Sequence, residues 1–162
     1  MAKKTSVKSK HGGAKVWLPP PVSYLTALVL GGILHWALPL PMGVEAFPGV
    51  VVGVLFAAAG VYLIAHAFLW HRHTGQDPKP WKPSPKLILS GPYRFTRNPM
   101  YLGMTLIVMG VGLGMTDGWF VIGALCAALV VHFSAILPEE AYLARKFGAK
   151  YLRFKAQTRR WV

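Results

Sequence analysis

The chain has 162 residues, of which 54% are hydrophobic and 14% charged, and a formal net charge of +13. That length suits one domain, and that apolar share excludes an ordinary soluble protein of this size. So basic a balance would indicate nucleic acid in a polar chain; here long apolar runs accompany it, so it reads as membrane topology and no nucleic-acid partner is expected.

Residues 1–15 are polar and carry Lys3, Lys4, Lys8, Lys10 and Lys15. Disorder or loose contact with anionic lipid is expected there. Trp17 and Pro19-Pro20-Pro21 mark an interface, so 1–21 reads as a basic cytoplasmic segment and 22–162 as one membrane domain. Val22 to Leu38 is the first apolar run, interrupted only by His35, and predicts a transmembrane helix over about 22–40. A signal peptide cleaved near Val44-Glu45-Ala46 is the competing reading. The long basic leader and the intervening prolines argue against it.

Pro48 to Leu69 predicts the second span, 48–69, in which Gly49 and Gly53 stand four apart, a spacing that lets helices approach closely. His66, His71 and His73 raise a metal site. A membrane di-iron centre needs more histidines, or carboxylates beside them, and no metal is expected. Residues 70–98 form a basic, proline-rich cytoplasmic loop. Pro99 stands at a helix N1 position, with Asn98 as its expected N-cap.

Seventeen apolar residues, Pro99 to Met115, then run up; nineteen, Phe120 to Pro138, come down from a turn at Thr116-Asp117-Gly118-Trp119. As helices (spans 99–115 and 119–138) each rises roughly 25–28 Å, about the thickness of a bilayer core. Gly110, Gly112 and Gly114, with no preceding strand, read as a packing face rather than a phosphate loop. Cys126 reads as a small packing residue; as the single cysteine it excludes an intrachain disulfide. His35 and His132, polar inside apolar runs, are expected to bridge helices. A C-terminal helix over 139–160 is amphipathic, with Leu143, Phe147, Tyr151 and Phe154 on one stripe and Arg145, Lys146, Lys150, Arg153 and Lys155 around it.

The fold expected is all-α: four transmembrane helices and an amphipathic C-terminal helix. The 18 basic residues fall as five before the first run, six between the second and third, and seven after the fourth. The loops 39–47 and 116–119 hold none, which places both termini and the long loop in the cytoplasm. Matched antiparallel helices bring their far ends to one level. Arg97-Asn98-Pro99 should therefore meet the acid pair Glu139-Glu140 at the cytoplasmic surface.

That rim offers two carboxylates, several guanidiniums and the rings of Tyr93, Tyr101 and Tyr151. Carboxylates accept from hydroxyls and amines, arginines fork onto carboxylates or phosphates, and tyrosines stack on a base or face a cation. S-adenosylmethionine, zwitterionic and aromatic, fits; a nucleotide or a lipid headgroup does too. The acids also have a plain rival role, complementing a helix dipole after Pro138. Arg94 and Arg97 have theirs, as topology determinants.

The pattern Gly91-Pro92-Tyr93-Arg94-(x)2-Arg97-Asn98-Pro99-Met100-Tyr101-Leu102-Gly103, then an apolar hairpin, then Glu139-Glu140-(x)2-Leu143-(x)3-Phe147-Gly148-(x)2-Tyr151, resembles the isoprenylcysteine carboxyl methyltransferase and phospholipid methyltransferase superfamily. The resemblance runs from Trp81-Lys82-Pro83 to Arg160, about half of the chain. It implies an integral membrane methyltransferase whose S-adenosylmethionine pocket is built from the last two helices and the polar C-terminal segment. By that resemblance Gly91, Pro92, Tyr93, Arg97, Asn98, Pro99, Tyr101, Glu139, Glu140 and Tyr151 form the cofactor site, with Arg97 and Glu140 in catalytic roles. The eukaryotic prenylcysteine enzymes carry Arg-His-Pro where this chain has Arg97-Asn98-Pro99, and phosphatidylethanolamine methyltransferases tend to have Asn-Pro. A histidine-dependent step is therefore not carried over.

Methyl transfer from a sulfonium is an in-line displacement, in which the protein aligns the reactants and excludes water. A bilayer-embedded enzyme implies a lipid-like or hydrophobic acceptor: a prenylcysteine-type carboxyl, a phospholipid amine or a thiol. A protonated amine would need a base, for which Glu140 is the nearest candidate. The contrasting reading is a non-catalytic membrane protein that binds anionic lipid or a partner through its basic faces.

Overall fold

A computed structural model describes residues 12–162; the lysines Lys3, Lys4, Lys8 and Lys10, and the contact with lipid expected of them, lie outside the described residues. Every regular element among the described residues is helical: α1 (Pro20–Ala37), α2 (Ala46–His73), α3 (Pro99–Gly114), α4 (Gly118–Val131), α5 (Leu137–Phe147) and α6 (Ala149–Gln157). A 3-10 turn, Gly91–Arg94, precedes α3, and a π-helical stretch, His132–Ile136, joins α4 to α5. Two continuous helices, Ala46–His73 and Gly118–Phe147, are long and apolar enough to cross a bilayer; Pro99–Gly114 is apolar but shorter. Large apolar side chains such as Leu25, Val29, Ile33, Val54, Leu55 and Val61 point outward from α1 and α2. In water these would be costly patches.

α2 and α3 pack backbone to backbone. A Cβ on Gly53 would lie 2.5 Å from the Gly110 carbonyl oxygen, and one on Gly110 would lie 2.6 Å from that of Gly53. Gly60 and Gly103 repeat the arrangement two turns away, at 2.5 and 2.6 Å. Without a hydrophobic driving force in lipid, such close approach is how dispersion holds helices together. The third-helix glycines serve two neighbours. Gly110 and the backbone of Gly114 receive α2, whereas Gly112 faces Phe120 and Val121 of α4.

At the end opposite the two motifs, Asp117 gathers three elements. It caps α4 by accepting from the Trp119 backbone N–H at 2.9 Å, accepts from Leu40 N–H at 3.2 Å, and holds His35 Nδ1 at 2.8 Å. His35 thus bridges helices as expected. His132 does not bridge helices as expected: its side chain makes no hydrogen bond among the described residues, and its ring meets that of its neighbour Phe133 at 5.1 Å. Tyr24 ties α1 to α3 through Thr105 Oγ1 at 2.9 Å and the Tyr101 carbonyl at 3.2 Å.

Four further expectations are corrected. The fourth helix does not stop at Pro138 but runs on to Phe147. The π turn accommodates the proline, whose missing N–H breaks the regular ladder, and its extra residue rotates everything beyond it by about 100°. Glu139 and Glu140 therefore sit within a running helix, and a helix-start dipole does not account for them. Secondly, the C-terminal helix is two helices, split at Gly148, whose φ of +53° favours glycine. The stripe survives the split: Tyr151 and Phe154 are buried and Leu143 and Phe147 half-buried. Thirdly, Asn98 occupies the N-cap position but makes no side-chain cap. Finally, Cys126 is exposed, on the wall of a groove between α1 and α4, rather than packed inside.

Candidate functional site

The hairpin of α3 and α4 brings the two motifs together. A cavity of about 70 Å3 is lined by Tyr93, Arg97 and Asn98 from the first motif and by Glu139, Glu140 and Tyr151 from the second. A smaller cavity of about 40 Å3 adjoins it and adds Pro99 and Tyr101, sharing His71, Tyr93, Arg97, Asn98 and Glu139 with the first. Gly91 and Pro92 line neither. Gly91 instead starts the 3-10 turn with φ +64°, and a Cβ there would stand 2.7 Å from the Trp70 ring. It shapes the turn that presents Tyr93.

The two acids have opposite surroundings. Glu140 is 7% exposed and wholly engaged by cations. Arg160 forks onto it, Nε to Oε1 at 2.8 Å and Nη2 to Oε2 at 2.9 Å. Arg97 Nη2 lies 3.0 Å from Oε1 and Lys155 Nζ 3.3 Å from Oε2. Bidentate guanidinium–carboxylate pairs of this kind are strong and directional. The hydrogen bonds to Glu140 hold the Arg160 guanidinium above its ordinary range. Glu139 meets no cation among the described residues; its one hydrogen bond is accepted at Oε2 from the Tyr101 hydroxyl at 3.1 Å.

The C-terminal segment straps the first motif down. Arg97 N–H donates to the Arg159 carbonyl at 3.0 Å, and Thr96 Oγ1 and Asn98 Nδ2 both donate to the Arg160 carbonyl, at 3.1 and 2.9 Å. Asn98 thus spends its amide on the strap. Arg97 also donates through Nη1 to the Lys155 carbonyl at 2.8 Å, while its Nε is buried without a partner among the described residues. Such an orphan donor is expensive unless a ligand satisfies it.

Across the cavity, His71 Nδ1 lies 3.0 Å from the Ala67 carbonyl and 3.4 Å from the Tyr93 hydroxyl, with the two rings edge to face at 5.7 Å. Burial, and secondarily the charge of Glu139, push the Tyr93 phenol well above its usual range. Burial and then the charge of Glu140 do the same for Tyr151. Both tyrosines are neutral rings at any ordinary pH.

Sequence reasoning missed Arg160 and Lys155 as partners of Glu140, and His71 as a lining residue. The excess of cations over five acids hinted that Glu140 would be paired, but nothing in the spacing selected Arg160. Arg94, open as a candidate, lies outside the cavity, in a neighbouring cleft.

An all-helical chain with lipid-compatible outer faces, two helices able to cross a bilayer, and a charged, aromatic cavity at one end of its helical hairpin is a membrane protein. It matches the model of the phospholipid methyltransferase family over residues 48–150, and it belongs to that family. An uncharacterized protein of Haemophilus influenzae is 36% identical over 63 residues, covering 39% of this chain and 100% of that protein. No solved structure matches the chain.

Proposed function

We propose that this family member is an S-adenosylmethionine-dependent methyltransferase acting on a lipid-like or hydrophobic acceptor at the cytoplasmic face of the membrane, with four spans and both termini cytoplasmic. One observation carries it. Residues some forty positions apart, joined only through an apolar hairpin, line one cavity with the donors and acceptors that a zwitterionic, aromatic ligand requires. The buried, unpartnered Arg97 Nε suits a carboxylate, the cation-free Glu139 suits an ammonium or ribose hydroxyls, and Tyr93 and Tyr151 offer neutral rings for a base. The bound cofactor would supply an electrophilic methyl group on its sulfonium.

Roles within the acid pair shift from those expected of the sequence. Glu140, neutralised by three cations, is a poor proton acceptor and acts as a positioning residue that sets the Arg97 guanidinium. Glu139 is the carboxylate left to take a proton from an amine acceptor. At about 70 Å3 the cavity is also well below the roughly 300–1,000 Å3 of small-molecule sites. Binding therefore requires α6 and the strap of residues 158–161 to move outward, and their return over the bound ligand then closes water out of the reaction.

Calorimetric titration of the purified protein with S-adenosylhomocysteine tests cofactor use, and a lipid extract incubated with radiolabelled S-adenosylmethionine tests transfer. Label in an amine headgroup identifies a phospholipid acceptor, and base-labile label identifies a carboxyl ester. Folded protein that shows no binding at millimolar ligand would leave the non-catalytic reading in its place.

A further inference from the structure

Next to the candidate site, and divided from it by Phe154, which lines both, lies an open cleft of about 670 Å3. Its cations are Arg94, from the 3-10 turn, and Lys150 and Arg153, from α6. Lys150, Arg153 and Gln157 recur at three and four residues and so share one face of α6, turned toward Arg94 across the cleft. The chain's five acids are Glu45, Asp77, Asp117, Glu139 and Glu140, and none of them lines the cleft. Whereas Arg97, Lys155 and Arg160 are matched by Glu140, none of Arg94, Lys150 and Arg153 enters an ion pair among the described residues. Three like charges held around one cleft repel unless an anion joins them.

The immediate chain neighbours narrow the choice of anion. Phe95, following Arg94, is 80% exposed, and Leu152, preceding Arg153, is 56% exposed. Leu89, on the cleft wall, is also exposed. Apolar side chains interleaved with cations suit a membrane interface, where the former enter the acyl boundary and the latter stay at headgroup level. A soluble anion would leave those apolar groups in water.

We propose that the cleft of Arg94, Lys150 and Arg153 is a binding site for the phosphodiester of an anionic phospholipid, which docks the 3-10 turn and α6 on the membrane beside the candidate cofactor site. The two arginines fork onto the phosphate oxygens and Lys150 adds a point charge. The site needs neither cofactor nor turnover, so it stands or falls separately from the methyltransferase reading.

The test uses the full chain in neutral detergent micelles. It is titrated calorimetrically with dihexanoyl phosphatidylglycerol, dihexanoyl phosphatidylcholine and inorganic phosphate, and melting temperature is recorded for every variant. The unmodified protein should bind phosphatidylglycerol at least ~10-fold more tightly than the other two probes, with affinity falling as salt rises. Each cation near an anionic headgroup is worth roughly a fivefold change, so Arg94→Gln, Lys150→Gln and Arg153→Gln together should weaken binding on the order of a hundredfold. Arg94→Lys with Arg153→Lys should retain binding within about tenfold, and Arg145→Gln, outside the cleft, should leave it within about twofold. Should the triple variant fail to fold, the three single variants each carry the fivefold expectation. Equal affinity for phosphatidylcholine, equal affinity for free phosphate, or unchanged binding in the glutamine variants would each overturn the proposal.

Discussion

Replacing Glu140 by Gln removes one negative charge from the centre of a four-residue network while keeping size and shape. Its side chain is 9% exposed, as is that of Arg97, whereas Arg160 and Lys155 are 31% and 44% exposed. The Lys155 contact, half in solvent, contributes little. Breaking a buried pair by neutralising one partner costs about 3–5 kcal/mol when the other charge stays dry, and the partial exposure of Arg160 puts the expected loss near the bottom of that range. At about 2–4 °C per kcal/mol for a chain of this size, melting should fall by roughly 6–12 °C. A double-mutant cycle with Arg160→Gln isolates the fork: the two single losses together should exceed the double variant's loss by about 1.5–3 kcal/mol. S-adenosylhomocysteine affinity, measured on the same preparations, should fall at least ~10-fold, because Arg97 loses the partner that aims it. Losses that simply add to within about 0.5 kcal/mol, or a melting temperature unchanged by Glu140→Gln, would refute the network and with it the positioning role of Glu140.

Gly53→Val should prevent close packing of α2 and α3, because even its Cβ would lie 2.5 Å from the Gly110 oxygen; a loss of several kcal/mol in thermal unfolding is expected, while Gly114→Ala, whose Cβ meets nothing within 4 Å, should cost under about 1 kcal/mol. Burial raises the Asp117 carboxyl, but the hydrogen bond from His35 and the N–H groups of Trp119 and Leu40 outweigh it and hold it below the ordinary range. Its contribution is thus present above the unfolded-state pKa of about 4 and is lost as pH falls through the lower folded value, so Asp117→Asn should flatten the acid limb of the melting-temperature profile. Tyr101→Phe deletes the one hydrogen bond that Glu139 accepts among the described residues and should cost about 1 kcal/mol in stability, together with an upward shift of any pH optimum for transfer that depends on an ionised Glu139. Reporter fusions after Gly43 and Gly118 should read outside and those after Lys82 and Val162 inside; a cytoplasmic signal at Gly118 would contradict the four-span topology.

What the sequence determined by itself are properties that neighbouring residues settle among themselves. Apolar runs too long to be anything but helices, glycines four apart, a basic loop and a turn at Thr116-Asp117-Gly118 each follow from local propensity and solvent preference. Two apolar runs of similar length, seventeen and nineteen residues, were enough to place Arg97 and Glu139-Glu140 at one level. Which side chains then touch depends on the rotation of each helix about its own axis, and that rotation is a tertiary outcome. The π turn at His132–Ile136 turns the acid pair by about 100°, and Gly148 folds the final helix back so that Arg160 reaches Glu140 twenty residues away. No periodicity marks either event, because both arise where the ladder departs from its regular repeat. Their consequence is chemical: one carboxylate of an adjacent pair is neutralised by three cations, and the other, among the described residues, accepts a hydrogen bond from a tyrosine alone.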